Sequence, residues 1–335
     1  MREPSEFTVQ RALARVGYEV ELLAPPGESR ASLAERLARL LGGRHERIFH
    51  HDTELTRVKG RPVFHHLSLG HDVYGADGDV RCRLVDDITI IADLDDRAEP
   101  TGGLYRVMSD ERRIMNLVER IANPEADAAS VLEPLAALYG TEVEPGKAGL
   151  TQLRDQYGAS VAVVAQQGGE RERVCEVIFP PLTGEAGPQL AAVLEPARDA
   201  GFRVPAEAAV HVHLDAEPFR SAPALARLVR AFGSDRDAVH ERLRTNPRCR
   251  RLAPLAPALV AEAAAPGFGR RPWGDVAAWL ATLDLAKHAD VNLRALAGHR
   301  SAADTVEIRV LPGSIDADRI RAATAEIGTM LAEAG

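Results

Sequence analysis

Hydrophobic and polar residues alternate along several short segments of the chain, a pattern typical of strands with one buried face. The segment 17–23 (GYEVELL) alternates in this way and is followed by a Pro-Pro-Gly sequence that ends the pattern. The same alternation predicts strands over 210–214 (VHVHL) and 305–310 (TVEIRV). Each of these strands is expected to pack one apolar face on a core.

Residues 45–92 are also strand-like and contain tight turns, of which the Asp77-Gly78 pair is a strong hairpin signal. The four residues 88–91 (ITII) predict a buried strand. Later strands are predicted at 161–165 and 174–179, the second ending at two prolines. The short connections between the early strands favour antiparallel pairing.

Apolar residues at helical spacing predict the remaining elements. Ser29 is expected to cap a helix that runs to about Leu41, and Pro134 is expected to kink or split another. The predicted helices cover 29–41, 110–121, 127–139, 188–200, 221–232, 254–264, 273–282 and 316–334. The segment 95–171 is predicted as a helical insertion or subdomain within a single domain spanning 1–335. The sequence thus predicts an α+β fold in which helices pack on an antiparallel sheet.

Composition and charge exclude several classes of protein. Among the 335 residues, 41 Lys and Arg against 49 Asp and Glu give a net charge of −8, which argues against sequence-independent nucleic-acid binding. Aromatic residues make up 4% of the chain, too few for a large stacking platform. The cysteines Cys82, Cys175 and Cys249 lack CxxC spacing, which argues against a disulfide framework or a zinc–thiolate site. With no N-terminal signal pattern and no apolar run of about 18 residues, a cytoplasmic protein that does not contact membranes is expected.

Three of the predicted strands carry a pair of polar residues opposite their apolar face. These pairs are Glu19 and Glu21, His211 and His213, and Glu307 and Arg309. Residues i and i+2 of a strand point to the same side, so each pair either lies on a solvated face or, if the strands share a sheet, joins the others in one cluster. Carboxylates and imidazoles suit Mg²⁺ or Mn²⁺, and a guanidinium suits phosphate. Such a cluster is equipped for phosphoryl transfer.

The common nucleotide-binding loops are absent from the sequence. The segment 140–147 (GTEVEPGK) resembles a P-loop, but five residues separate its glycines where four are required, and Ala148 replaces the Ser or Thr that would contact Mg²⁺. There is no HExxH, GxSxG or GxGxxG motif. Any ATP would therefore be held mainly by metal ions and basic side chains.

The order of several short blocks along the chain adds a family resemblance. The blocks are GYEVEL (17–22), DITI (87–90), CEVIFPPLTG (175–184), HVHLD (211–215), NPRCR (246–250), DVNLRAL (290–296) and TVEIRVLPGSID (305–316). In this order and spacing they resemble the amidoligase family of carboxylate–amine ligases. The resemblance implies a glutamine-synthetase-like half-barrel, with ATP and Mg²⁺ (or Mn²⁺) as cofactors. It also implies amide formation through an acyl phosphate, on small-molecule or peptide carboxylate and amine substrates. Related synthetases often form assemblies, so the resemblance is compatible with an oligomer.

The resemblance also implies roles for individual residues. The implied metal ligands are Glu19, Glu21, Glu176, His211 and Glu307, and the implied catalytic residues are Arg309, Glu307 and His211. The implied nucleotide or substrate contacts are Arg309, Asn292, Arg248 and His213. Asn292 could instead satisfy backbone groups, and Arg248 could be a surface residue. At the position of a family serine this chain has Phe179, so a hydroxyl role there is lost, and either Asp86 or Asp87 could match a family acid.

Two other functions stay open at the level of sequence. A metal-dependent hydrolase could use the same Glu and His residues without a nucleotide, and a binding protein could keep the fold without catalysis. The neighbouring histidines 50–51 and 65–66 cannot chelate from one face of a strand and are read as hairpin residues with an optional substrate role. The first strands and the segment 95–171 are expected to build the substrate side.

Overall fold

The computed structural model describes residues 8–52, 55–56, 59–60, 62–99, 103–184, 186–249, 251–298 and 304–335. The N-terminal segment 1–7, where no signal pattern was expected, and Arg250 of the NPRCR block lie outside the described residues. Residues 100–102 of the predicted insertion lie outside them as well.

Twelve strands form within the described residues. They are β1 (Arg15–Leu23), β2 (Arg44–His51), β3 (His65–Tyr74), β4 (Val80–Val85), β5 (Tyr105–Ser109), β6 (Val143–Pro145), β7 (Thr151–Arg154), β8 (Ser160–Gln166), β9 (Val174–Thr183), β10 (Ala209–Asp215), β11 (Val291–Asn292) and β12 (Thr305–Pro312). Every strand pair with an assigned register is antiparallel. The α+β class with antiparallel pairing is therefore confirmed.

Ten α-helices accompany these strands in the same part of the chain. They are α1 (Val9–Ala12), α2 (Arg30–Leu40), α3 (Arg112–Ile121), α4 (Glu133–Tyr139), α5 (Ala186–Asp199), α6 (Ala222–Gly233), α7 (Arg236–Arg242), α8 (Pro257–Ala263), α9 (Trp273–Leu280) and α10 (Ala317–Glu333). Short 3₁₀ turns lie at Lys147–Gly149, Arg171–Arg173, Glu217–Phe219 and Phe268–Arg270. Among the described residues, no helix combines the length and the apolarity that crossing a bilayer requires.

The chain divides into two compact units. The first unit contains Met1–Glu21, Ile178–Arg198 and Val204–Gly335, and the second contains Leu22–Val177 and Asp199–Arg203.

In the first unit, the strand order β11-β12-β10-β1 continues into the last residues of β9. One face of this sheet is apolar, with Val20, Val212 and Ile308 fully buried. Tyr18 lies on the same face and shares a side-chain hydrogen bond with Thr324 of α10. The alternation of β1, β10 and β12 therefore places their apolar residues against helices and leaves the Glu, His and Arg residues on the other face.

In the second unit, the sheet order is β4-β3-β5-β8-β7-β6, and β2 pairs with β3. One face of this sheet packs on α3 and α4. The buried residues of that core are Phe49, Leu67, Leu69, Tyr105, Val107, Ile114, Met115, Val118, Val131, Leu132, Leu135, Ala136, Leu153, Ala162 and Val164. Alternate residues of β5 and β8 contribute to this core, so the residues between them lie on the opposite face.

Several local predictions are confirmed. The Ser29 side chain accepts a hydrogen bond from the backbone N–H of Ser32 and caps α2. Asp77 and Gly78 lie in the turn between β3 and β4, where Gly78 has a φ of 84° that favours glycine. The helix predicted over 127–139 is shorter than expected, because α4 begins at Glu133 and Pro134 stands in its first turn instead of kinking or splitting it.

Other local predictions are wrong. The segment 95–171 is not mainly helical, because it contains β5 to β8 beside α3 and α4. Its short strands gain their stability from pairing in the sheet, which local helical spacing does not report. Residues 88–91 form a turn instead of a strand, since Asp87 accepts hydrogen bonds from the backbone N–H and hydroxyl of Thr89.

The end of one strand and the presence of one helix also differ from the prediction. Strand β9 runs to Thr183 through both prolines, whose fixed φ is compatible with extended backbone. Helix α7, capped by Asp235, was not predicted. The glutamine-synthetase-like half-barrel and the single-domain organisation stay predictions.

Candidate functional site

The polar pairs predicted from the sequence lie on neighbouring strands of the first unit. Antiparallel pairing of β1 with β10 places Glu19 opposite His211. Pairing of β10 with β12 places His213 opposite Glu307, and β11 adds Asn292 opposite Glu307. The alternative of separate solvated faces is therefore wrong for these pairs, which form one cluster, called here the Glu–His cluster (Glu19, Glu21, His211, His213, Glu307 and Arg309).

His211 lies at the centre of the carboxylates in this cluster. Its Nδ1 atom is 2.9 Å from Glu19 Oε2 and 3.5 Å from Glu307 Oε1, and its Nε2 atom is 3.6 Å from Glu21 Oε1. The pairing of β10 with β12 shifts register between Val210 and Val212, on either side of His211. A bulge of this kind redirects a side chain and is common next to functional sites.

One ligand atom each from Glu19, His211 and Glu307 lies within 4.8 Å of the others, a spacing that suits a metal ion. His211 and Glu307 are buried, with 5% and 7% of their surface exposed, and Glu19 is half-buried. Carboxylate oxygens with one imidazole nitrogen form a donor set that Mn²⁺ or Mg²⁺ accepts. The residues therefore fit a divalent cation.

Both carboxylate oxygens of Glu307 accept hydrogen bonds. Asn292 Nδ2 donates to Oε2 at 2.9 Å, and Arg309, two residues along β12, donates to Oε1. Burial alone would raise the pKa of Glu307, but Arg309 and His211 hold it below its ordinary value. Burial would likewise lower the pKa of Arg309, and Glu307 keeps it raised. The Nε atom of Arg309 is buried and has no hydrogen-bond partner in the described part of the chain.

His213 balances the charge of Glu19. Its Nε2 atom lies 3.1 Å from Glu19 Oε1, and its Nδ1 atom lies 3.0 Å from Thr305 Oγ1. Burial opposes the charged imidazole, but the carboxylates of Glu19 and Glu307 raise the pKa of His213 to about 9. The pKa of Glu19 lies well below its ordinary value, because the two histidines outweigh the effect of its burial.

The charges of the cluster do not cancel. Glu19, Glu21 and Glu307 contribute three negative charges, against one positive charge each from His213 and Arg309. A His211 that binds a metal ion must be neutral. The cluster then has one net negative charge, which favours a bound cation.

The other residues predicted for the site lie in different settings. Glu21 is buried, and its Oε2 atom accepts the backbone N–H of Ala209 at 2.8 Å. Glu176 is half-buried on β9, within the second unit. Arg248 is exposed in a turn where its backbone N–H donates to Asn246 Oδ1 at 3.0 Å. The metal-binding role of Glu176 and the anion-binding role of Arg248 stay predictions.

Asp290 was missed in the sequence although it begins the DVNLRAL block. It is 1% exposed, and its carboxylate receives Nε and Nη2 of Arg236 at 2.6 and 3.0 Å and lies 3.1 Å from His240 Nε2. Its backbone carbonyl accepts the N–H of Arg309 at 3.0 Å. Asp290 therefore attaches α7 to the strand that carries Asn292. No local signal could have identified it, because its partners are about 50 residues away in the chain.

Gly17 was also missed. It lies opposite His213, and a Cβ atom at this position would be 3.2 Å from the Cβ atom of His213. That distance is tight, so the missing side chain leaves room for the imidazole.

Of three comparisons with known proteins, one found a match. No curated protein and no solved structure matches the chain. A family model described as putative amidoligase enzyme matches residues 13–326, a range that contains every residue of the Glu–His cluster together with Asn292 and Asp290. The family is named for enzymes that join molecules through amide bonds, and this chain belongs to it.

Proposed function

We propose that the protein is an ATP-dependent carboxylate–amine ligase that uses Mg²⁺ or Mn²⁺. A substrate carboxylate attacks the γ-phosphorus of ATP, the bond between the β,γ-bridging oxygen and the γ-phosphorus breaks, and ADP leaves. An amine then attacks the acyl carbon of the acyl phosphate, releases inorganic phosphate, loses a proton and gives the amide. The proposal includes a glutamine-synthetase-like arrangement of the sheet and small-molecule or peptide substrates.

The observation that carries the proposal is the triad of ligand atoms from Glu19, His211 and Glu307 in a chain of the amidoligase family. A divalent cation held by these residues would supply positive charge against phosphate oxygens. The net negative charge of the cluster and its burial support cation binding.

Arg309 is the group suited to the transferred phosphoryl. Glu307 holds its guanidinium in place, and its Nε–H has no acceptor in the described part of the chain. A guanidinium can offer up to five N–H donors, so Arg309 keeps capacity for phosphate oxygens while it is paired. His213 holds its proton against Glu19 and is suited to orient that carboxylate.

Asn292 fixes the second oxygen of Glu307 through its amide. With one oxygen bound by Arg309 and the other by Asn292, the Glu307 carboxylate has little freedom to rotate. We therefore assign to Asn292 the positioning of a metal ligand, in place of a direct contact to the nucleotide.

The first experiment measures thermal unfolding of the wild type with Mg²⁺ or Mn²⁺ alone, with ATP alone and with both. A ligand at about 100 times its Kd stabilises by roughly 2.7 kcal/mol, which is an easily detected shift. The Glu307→Gln variant should lose the shift produced by metal and ATP together. Glu333→Gln, which removes an exposed carboxylate of α10 that pairs with Arg242, is the matched control and should keep it.

The outcomes separate the candidate functions. A shift that needs both metal and ATP, followed by phosphate release when carboxylates and amines are supplied, supports the ligase. A shift with metal alone, together with hydrolysis that needs no nucleotide, would instead indicate a metal-dependent hydrolase. No shift under any condition, in a protein that is folded, would contradict the proposal.

A further inference from the structure

A second buried cluster of charges lies in the second unit, on the face of its sheet opposite the α3–α4 core. Asp52 follows β2, Ser68 lies on β3, Asp86 follows β4 and Arg106 lies on β5. Ser68 and Arg106 are directly opposite each other in the β3–β5 pairing. Ser68 donates a hydrogen bond to Asp52 Oδ1, and Arg106 Nη2 donates to Asp86 Oδ2 at 3.2 Å.

The hydrogen-bonding capacity of this cluster is not used up. Arg106 Nε and Asp52 Oδ2 form an ion pair at 3.1 Å that does not have the geometry of a hydrogen bond, and neither buried atom has a hydrogen-bond partner in the described residues. The Arg106 side chain is 12% exposed and that of Asp52 4% exposed. Within the described chain, the guanidinium of Arg106 donates one hydrogen bond, to Asp86. A guanidinium can donate up to five. Buried polar groups with unused capacity are uncommon, and a bound molecule is one explanation.

His66 adds a third buried polar atom that has no hydrogen-bond partner in the described residues. Its Nε2 atom accepts the backbone N–H of Thr56 at 3.2 Å, so the proton of the neutral ring is on Nδ1. That Nδ1 atom is buried and has no partner among the described residues. Burial, followed by the charge of Arg106, lowers the pKa of His66 to about 4, which keeps the ring neutral.

The neighbouring arginines occupy other hydrogen-bond acceptors in this region, so those acceptors are not available to Arg106. Arg171 is bound to Asp86 and donates to the carbonyls of Asp87 and Ile90, each at 2.6 Å. Arg30 donates to the carbonyls of Arg171 and Val174. Asp86 is thus shared by three guanidiniums, and Glu172 is a further carboxylate that acts on Arg30.

The residues beside Arg106 on β5 and β8 are partly exposed. Arg106 lies opposite Ala165, and Met108 lies opposite Val163, on the face away from the α3–α4 core. All four residues are half-buried, whereas their neighbours Val107, Ala162 and Val164 are buried in the core. The surface next to the charged groups is thus apolar and partly accessible, as in many small-molecule sites.

We infer that Arg106 and Asp52 bind the carboxylate and the ammonium group of an α-amino acid, either free or at the end of a peptide. A simple anion would satisfy Arg106 but would be repelled by Asp52, 3.1 Å away. A zwitterion offers each of the two groups an opposite charge and leaves the net charge of the cluster unchanged. Met108, Val163 and Ala165 would contact the apolar part of the ligand. The inference rests on the proposed function for its role as a substrate site, but binding itself needs neither metal nor ATP.

The test is a titration of the wild-type protein with common L-amino acids, one at a time, by calorimetry and by thermal unfolding. Each titration is run without nucleotide and again with Mg²⁺ and ATP. N-acetylated and amidated forms of the best ligand test the two charged ends separately. Arg106→Lys keeps the positive charge between the aspartates but removes the planar fork. Asp52→Asn keeps the shape and removes the charge. Arg83→Gln, which removes the exposed partner of Asp72 on the same sheet, is the matched control.

We expect at least one amino acid to bind and to raise the melting temperature. Its affinity should fall about tenfold or more in Arg106→Lys and in Asp52→Asn, since each loses a charged or bidentate contact worth roughly 1.4 kcal/mol or more. Binding should be unchanged in Arg83→Gln. Failure of the proposed function would appear separately, as the loss of any effect of metal and ATP on the wild type.

The inference is overturned if no amino acid binds the folded wild type with or without ATP. It is also overturned if the N-acetylated or amidated ligand binds as tightly as the parent, or if folded Arg106→Lys keeps wild-type affinity. A structure at saturating amino acid with only water in contact with Arg106 and Asp52 would also overturn it.

Discussion

Asn292 contributes an uncharged amide to a group of carboxylates. Its Nδ2 atom donates to Glu307 Oε2, and its Oδ1 atom accepts the backbone N–H of Arg294 at 3.2 Å. The amide therefore links the candidate metal ligand on β12 to the turn that follows β11. At the scale of one residue, replacement of nitrogen by oxygen reverses the interaction with Glu307.

We expect Asn292→Asp to destabilise the metal-free protein, because two carboxylates would face each other across β11 and β12. The same change should increase the stabilisation by Mn²⁺, since a fourth carboxylate raises the negative charge of the cluster. The measurement is the melting temperature of each protein with and without Mn²⁺. Asn123→Asp, an identical chemical change at an exposed position of the second unit, should behave as the wild type in both conditions. If Mn²⁺ changes the melting temperatures of Asn292→Asp and Asn123→Asp equally, Asn292 does not position a ligand of the metal site.

Asp52 gives a prediction of pH dependence. Burial, opposed by Arg106 and Ser68, raises the pKa of Asp52 to about 6 from an ordinary 3.8. The folded protein then binds the proton more tightly than the unfolded chain, so this stabilisation is present at low pH and is lost as pH rises through 6. At about 1.4 kcal/mol per pKa unit, the wild type should lose roughly 3 kcal/mol relative to Asp52→Asn between about pH 4 and pH 7.

This difference is measured by urea unfolding of both proteins over that range of pH. Asp52→Asn should show the flatter profile. A difference that grows in favour of the wild type with rising pH would mean that the pKa of Asp52 is lowered, and that Arg106 already satisfies it.

At the scale of secondary-structure elements, the attachment of α7 to β11 is the contact most closely connected to the Glu–His cluster. Asp290 joins them through its carboxylate to Arg236 and His240 and through its backbone to Arg309. An unpaired buried carboxylate is costly, whereas an amide at the same place is not. We therefore expect the effects of replacing Asp290 and Arg236 on the free energy of unfolding to be coupled.

We expect Arg236→Gln to destabilise the protein and Asp290→Asn to recover part of that loss when the two are combined. The coupling energy should be about 1 kcal/mol, near the lower end for a buried partner, because the Arg236 side chain is 36% exposed and water screens it. Urea unfolding of the wild type, both single variants and the double variant gives this energy. Strict additivity would show that the ion pair does not hold the two elements together.

At the scale of the whole molecule, each compact unit has its own core. The reactivity of the three cysteines measures how well residues are buried in each unit. Cys82 and Cys175 lie buried in the second unit, and Cys249 is half-buried in the first. Burial raises the pKa of Cys175 to about 12 and that of Cys82 well above its ordinary value. Neither thiol is an effective nucleophile in the folded protein.

We expect the native protein to react with a thiol reagent such as dithionitrobenzoate at Cys249 first. Cys82 and Cys175 should react only after unfolding. The absorbance of the released thiolate counts the reacting groups, and Cys249→Ser should abolish the early phase. Rapid reaction of all three thiols in native buffer would contradict the burial of the second-unit pair.

The sequence by itself determined the properties that depend on near neighbours. Alternation assigned Glu19, His211 and Glu307 to the polar faces of their strands, because side chains change face at every residue. Ser29 and the Asp-Gly turn were readable because caps and tight turns are local structures. Family blocks in order also pointed to an amidoligase, and the match over 13–326 confirms it.

Only the tertiary structure decided which strands are neighbours and in which register. Glu19 and His211 are 192 positions apart, and nothing local specifies that β1 pairs with β10 or that the register shifts next to His211. The same holds for β5 to β7, which lie in a segment interpreted as helical, and for Asp290 and Arg106, whose partners come from distant segments. Strand pairing is a non-local interaction, so its outcome depends on the burial and hydrogen bonding of the whole sheet.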